Sequence, residues 1–489
     1  LLIRVNKGAA DRKGCWLTFG IYGDGEDNSE YDSKGIAWSV MTAGPGSSSP
    51  VIVGDKIFIT CEDGCLQAIN KRDGKKVWTR TLTYYDFATQ EERNKTPSAF
   101  TELDPIAAKL RELDKTGIPA VAARAECENK LMKGMLKVDA EKYNWAAGWG
   151  CEAGFTAGNP VTDGKYVYVL YGTGITACFD LEGKLIWSRL LKHVSIEHGY
   201  TTSPLLIDGK LVIYTDDFNV LDAKTGKSLI TKPHFVPNGG KFTNWYQHFH
   251  AGGVTLTAGK EKVLYYMNGE FVRLSDGKTL NLDKQKLNRL KPINWTEGAA
   301  NRISTPLVEN NICYKLTHNT GTVAAFTVPA ISGSDINPDI KKEIVFNTDK
   351  FAYYYESFYD AAQLLHEGLL YCLNTFGTLT VLDVEKGTVL YQKQLDLEIH
   401  MPYSSAGTLK GGASAAPTLA GKYIYIFGNQ GACLVLEPGR VYKQIAKLKI
   451  ENVGVTWPGH QDTFMTNPIF EGERIYYRSE GALWCIGRK

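Results

Sequence analysis

The residues best suited to chemistry in this sequence are its histidines, and His248-Phe249-His250 is the sharpest local signal among them. In an extended segment, residues i and i+2 project to the same side, so both imidazoles could reach one metal ion. His198, His400 or His460 could supply a further ligand, and the expected metal set is His248, His250 and His198. The same stretches carry Trp145, Trp149, Trp245, Trp295, Arg302, Tyr355, His400, Trp457 and His460, read as ligand-binding candidates. Their flat faces suit stacking against sugar rings or other planar ligands. Glu197, Glu297, Glu356 and Asp360 add carboxylates for general acid–base work, a role decided by a separation that only a structure supplies. The plain alternative is that the imidazoles only hydrogen-bond and the aromatic rings pack under a cap. Seven of the nine histidines lie in these stretches, the exceptions being His318 and His366. No phosphate-binding glycine loop, nucleophile elbow or zinc-protease motif accompanies them.

What must position these residues is a repeat. Ser49-Pro50, a Gly54 turn, Asp63-Gly64, Asn70, Gly74-Lys75 and Trp78 make one copy. The pattern returns at Asn159-Pro160 with Gly183-Lys184 and Trp187, and at Ser203-Pro204 with Gly226-Lys227. Weaker copies begin near Gly252-Gly253, at Thr305-Pro306, near Gln363, at Ala416-Pro417 and at Asn467-Pro468, eight in all. Each copy reads as four strands joined by glycine turns, the second strand alternating and the fourth ending in Trp or Tyr. Four-stranded units at this period indicate an all-β fold, a single eight-bladed β-propeller. A solenoid would need polar capping repeats, and none is visible. The last copy lacks a fourth strand, and Lys34-Gly35-Ile-Ala-Trp38 supplies one. The strand near 34–40 is therefore expected to close the ring and remove both exposed edges. The candidate site residues all precede the first strand of a copy, in loops that would gather around one mouth of the channel.

The gap between Pro50 and Pro160 holds an insertion at 84–148 that reads as mainly helical. Asp104-Pro105 reads as a cap and a first-turn proline, with Ile106, Leu110 and Leu113 on one face. Ala125, Leu131, Met132, Met135 and Leu136 mark a second helix. Its Lys and Glu read as a solvated face.

Lys+Arg number 55 and Asp+Glu 53, a net charge of +2, which gives no long-range field for nucleic acid. No apolar run is long enough for a membrane helix. None of the ten cysteines is adjacent to another. Cys178, Cys313, Cys372, Cys433 and Cys485 sit in apolar runs and read as buried thiols. Cys61 and Cys65 flank a short turn, so they could face each other and pair in an oxidising compartment. A start at Leu1 without a complete signal peptide reads as a processed, exported chain, periplasmic or extracellular.

Trp16-Leu-Thr-Phe19-Gly20-Ile-Tyr-Gly23-Asp24-Gly25 is similar to the start of secreted bacterial PQQ-like propeller repeat proteins. Ala68-x-Asn70-x-x-x-Gly74-Lys75-x-x-Trp78 resembles the tryptophan-docking repeat of quinoprotein dehydrogenases. That repeat also occurs in the propeller lipoprotein of the outer-membrane barrel assembly machinery. The resemblance implies a propeller in which Trp38, Trp78 and Trp187 are structural. The catalytic branch of the family carries an adjacent cysteine pair over its cofactor, which this sequence lacks, so PQQ with calcium is the less expected cofactor. The expected function is a non-catalytic exported propeller that binds a ligand or scaffolds a protein assembly. Partners would be other exported proteins or a saccharide. A PQQ- or metal-dependent oxidoreductase and a carbohydrate-binding or carbohydrate-active propeller are the alternatives.

Overall fold

The computed structural model describes residues 35–62, 64–116, 120–144, 154–192, 203–215, 217–233, 253–266, 270–283, 290, 305–317, 322–346, 362–375, 377–397, 413, 415–450 and 463–487, with the backbone of 2–3. The chain is almost all β, in small sheets of four strands. Sheets I (Val51 to Thr81), II (Val161 to Leu190), III (Leu205 to Pro233), IV (Val254 to Thr279), V (Leu307 to Val345), VI (Leu364 to Gln394) and VII (Thr418 to Ile450) each run antiparallel in sequence order. In sheet VIII, Ile36–Met41 lies beside Ala482–Gly487, followed by Arg474–Arg478 and Ile469–Glu471. Leu2–Ile3 adds a parallel edge strand to sheet VII, against Lys449 and Ile450. A three-stranded sheet (Asn281–Leu282, Asp335–Ile336, Ile331–Ser332) completes the set among the described residues.

The chain divides into two compact units. One comprises 38–249 and 477–485, with sheets I to III and the helices. In it, a core from sheets I and II joins Phe58, Leu66, Val167 and Val169 to helix residues Leu110, Leu131 and Met135. A second core packs Tyr168, Leu170 and Trp187 on Leu211 and Ile213 of sheet III. The other unit comprises 1–37, 250–476 and 486–489. Its cores join sheets IV and V around Tyr265 and Phe326, sheets V and VI around Leu316 and Leu370, and sheets VI and VII around Tyr371 and Leu434.

Because sheets stack face to face, middle strands are covered on both sides. Lys56–Cys61 and Cys65–Asn70 are buried along nearly their whole length, whereas the fourth strand Ser228–Pro233 is largely exposed. The alternation expected of the second strands is therefore replaced by near-continuous apolar runs such as Val167 to Leu170. The glycine turns fall where expected. The pairing of third and fourth strands, however, carries a bulge in sheets I, II, III, V, VI and VII, at Ala68/Ile69 in sheet I for example. An extra residue there kinks the strand and re-aims the next side chain. Trp78 and Trp187 consequently sit within their fourth strands, Lys76–Thr81 and Leu185–Leu190, and not at the ends.

Helices α1 (Gln90–Lys95), α2 (Pro97–Lys115) and α3 (Val121–Val138) lie between sheets I and II. The expected start of a helix at Asp104-Pro105 is corrected: Pro97 opens α2 and Pro105 is internal. Asp104 does not cap, because its carboxylate takes the Tyr85 hydroxyl (2.6 Å) and Arg93 (3.0 Å). Phe100 and Leu103 carry the buried stripe back past the proline to Ala107 and Leu110, and that burial outweighs one lost backbone bond. No described helix is long and apolar enough to cross a membrane.

Candidate functional site

Two sets of contacts hold neighbouring sheets in register. The first is a tryptophan joint. Trp38 donates from Nε1 to the Lys71 carbonyl (3.1 Å), Trp78 to Leu181 (3.0 Å) and Trp187 to Ala223 (2.8 Å). Each indole lies on the turn glycine of the next sheet. A Cβ built on Gly74, Gly183 or Gly226 would come within 2.6, 2.6 or 2.5 Å of the ring, and all three glycines have φ between 67° and 83°. Only glycine satisfies both demands at once. In sheet V the equivalent residue, set by the same bulge, is Lys342, whose amine donates to the Val384 carbonyl (3.1 Å) above Gly387. The second set runs along the first strands. Ser49 N–H donates to Asn159 Oδ1 (2.6 Å), and Asn159 N–H to Ser203 Oγ (2.9 Å). In the other unit Ala416 N–H donates to Asn467 Oδ1 (2.7 Å).

A buried polar cluster lies at the turn between the second and third strands of sheet I. Cys61 and Cys65 are register partners across it, both fully buried. Glu62, on the turn, accepts from the Phe155 N–H (2.9 Å), the Thr156 N–H (2.9 Å) and Thr156 Oγ1 (2.5 Å), tying the turn to the segment that leads into sheet II. Arg478 is fully buried; it donates to Ser48 Oγ (2.6 Å) and O (3.1 Å) and approaches Cys61 Sγ at 3.9 Å. From the insertion, Arg124 pairs with Asp114 (2.8 Å), and Asp114 accepts from Thr81 Oγ1 (2.8 Å) and N–H (3.1 Å). Burial opposes the Arg124 charge, but Cys65, Asp114 and Glu128 outweigh it and raise its pKa. Burial likewise opposes ionisation of Cys61, yet the hydrogen bond from Cys65 and the charge of Arg478 bring that thiol down to about 6. Cys65 moves the other way, held protonated by burial and by its neighbour.

Cys61, Cys65, Asp114, Arg124 and Arg478 are all buried, and Glu62 is half-buried. The cluster's chemistry is to join sheet I, the strand of Arg478 and the helices by charge and hydrogen bonds. Sequence reading found the cysteine pair but missed Glu62, Arg478, Asp114 and Arg124. The one local signal was a charge inside the apolar run Tyr476-Tyr477-Arg478. Among the described residues, no group of three or more His, Cys, Asp or Glu is placed to hold a metal. Every sequence-predicted site residue lies outside the described residues: His248, His250 and His198, and Trp145, Trp149, Trp245, Trp295, Arg302, Tyr355, His400, Trp457 and His460. The four carboxylate candidates do too. His366 is described, on the first strand of sheet VI, with Nε2 4.0 Å from Glu367.

The family described as "Outer membrane protein assembly factor BamB" matches residues 21–101. That span includes the first tryptophan joint. Over that span the chain is similar to the BamB repeat family. A protein of that name from Moranella endobia (strain PCIT) is 26% identical over 294 residues. The match covers 56% of this chain and 61% of that protein, less than two thirds of its length. BamB from Moraxella catarrhalis has a similar fold, with a TM-score of 0.51 at 11% identity over 92% of this chain and 99% of that one. Quinohemoprotein alcohol dehydrogenase from Comamonas testosteroni gives a TM-score of 0.48 at 12% identity over 93% of this chain and 76% of that one. The propeller-like architecture follows from the sheets and from the Moraxella fold.

Proposed function

We propose that this chain is an exported, non-catalytic propeller that serves as a scaffold in the assembly of outer membrane proteins. The observation that carries the reading is the relationship to BamB over the repeat segment. The repeat residues support it. The tryptophans, turn glycines and residues before the prolines are all engaged in joining sheets, as a scaffold requires. Residues 1–489 form one domain in this reading. Sheets I to VIII are its eight blades, the strand near 34–40 closes the ring, and 84–148 is an insertion in it. The order of sheet VIII, with Ile36–Met41 beside Ala482–Gly487, supports that closure. The segments between blades carry His198, His248, His250 and the aromatic candidates, and form the ligand- or partner-facing mouth. Protein partners fit this reading better than a saccharide.

The test sets the scaffold against a quinoprotein enzyme. Calcium and PQQ are added to the purified chain, and absorbance and dye reduction with alcohols are recorded. The scaffold reading expects neither a bound quinone band nor turnover. A stoichiometric band with alcohol-dependent dye reduction would overturn it.

A further inference from the structure

We propose that Cys61 and Cys65 form a reversible disulfide that clamps the turn carrying Glu62. The two residues are directly opposed in an antiparallel pair, at the point where the second strand of sheet I turns into the third. Opposed residues project to the same face, with Cα atoms about 4.5–5.5 Å apart. A disulfide spans about 4.4–6.8 Å between Cα atoms, so the bond can close without moving either strand. Four other buried thiols face residues of other types in their sheets: Cys178 lies opposite Tyr168 and Trp187, Cys313 opposite Val308 and Phe326, Cys372 opposite Thr380, and Cys433 opposite Phe427 and Leu448.

The surroundings favour reaction at Cys61. The Arg478 guanidinium stands 3.9 Å from its sulfur, and a positive charge beside a thiol favours the thiolate, the form that attacks disulfides. The balance is that of thiol–disulfide exchange with a disulfide oxidant. The Cys61 thiolate attacks one sulfur of the oxidant and expels the other as a thiolate. Cys65 then loses its proton and attacks Cys61, expelling the second. Two electrons pass to the oxidant, which leaves as two thiols. Both cysteines are fully buried, so the exchange takes place during folding or on opening of the turn.

The clamp acts on a joint. Glu62 sits next to Cys61 and holds Phe155 and Thr156, so a closed disulfide fixes the carboxylate that ties sheet I to the start of sheet II. The sequence makes the test simple, because trypsin cuts after Lys56 and Lys71 and leaves both cysteines on one peptide. The full chain is exported into a bacterial periplasm, alkylated with iodoacetamide on lysis and digested. The 57–71 peptide is expected without alkyl groups and lighter by two hydrogen atoms, and dithiothreitol before alkylation should convert it to the doubly alkylated form. A Cys65→Ser chain exported in the same way should carry its Cys61 alkylated or as a mixed disulfide. A wild-type peptide alkylated at both sulfurs, a link from either cysteine to another peptide, or a bond that dithiothreitol leaves intact would each overturn the proposal.

Discussion

Lys315 shows most plainly what one residue can cost this fold. It is on the second strand of sheet V, where the equivalent residues are Ile59, Val169, Ile213, Leu264, Cys372 and Ile426 in sheets I to IV, VI and VII, and Tyr477 in sheet VIII. Its side chain is buried, and its amine has no hydrogen-bond partner among the described residues. Burial pulls its pKa down to about 7. The sign follows: the folded state loses the proton first, so stability falls as pH drops from about 10.5 toward 7. Lys315→Met should stabilise the chain by roughly 2–4 kcal/mol at pH 7. The gain should vanish above pH about 10.5, as read from denaturant midpoints across that range. A gain independent of pH would mean that the amine is not the cause. Glycine supplies a second test. Gly183→Ala places a Cβ 2.6 Å from the Trp78 ring at φ 83°, whereas Gly209→Ala, at φ 71°, meets nothing within 4 Å. Strain alone costs about 1 kcal/mol, so Gly209→Ala should lose about that much and Gly183→Ala 2–4 kcal/mol with altered Trp emission. Equal losses would remove the packing argument.

At the scale of elements, the helical insertion is held by an ion-pair network as well as by its apolar stripe. Glu92 accepts from Lys142 (2.8 Å), Tyr143 (2.9 Å) and the Thr89 N–H (2.6 Å). Burial works against its charge, but these donors prevail and bring its pKa down to about 2. A depressed carboxylate contributes stability above its unfolded pKa, near 4.5, and loses it as pH falls through the folded value. Helices α1 to α3 should therefore lose amide protection, taken relative to the intrinsic exchange rate at each pH, as pH falls from about 4.5 to 2, and Glu92→Gln should remove that pH dependence. The repeat that builds the sheets was legible in the sequence because its signals are local: a proline before the first strand, glycines at the turns and an apolar run between them. The helix start at Pro105 was misread because the stripe continues through the proline at Phe100 and Leu103. The Glu62 and Arg478 cluster was not legible, since Ser48 and Arg478 meet across 430 residues and no periodicity marks such a contact. The histidine mouth was read from the place of its residues before the first strands of the copies and from the His248-Phe249-His250 spacing, and those residues lie outside the described part of the chain.

For the whole molecule, the proposed ring makes one strand decisive. The Thr42 N–H donates to the Gly481 carbonyl (3.0 Å), and the Trp38 indole to Lys71 (3.1 Å), so the segment from 38 to 42 bridges sheet VIII and sheet I. Deleting residues 1–41 should lower the melting temperature of the whole chain while leaving a single transition. An unchanged melting temperature would contradict closure by this strand. The central claim is the scaffold role in outer membrane protein assembly. It is tested most directly by depleting this protein in its native host and quantifying outer membrane β-barrel proteins by mass spectrometry. The account predicts that they fall together and recover when the wild-type chain is restored. Unchanged levels under full depletion would contradict it.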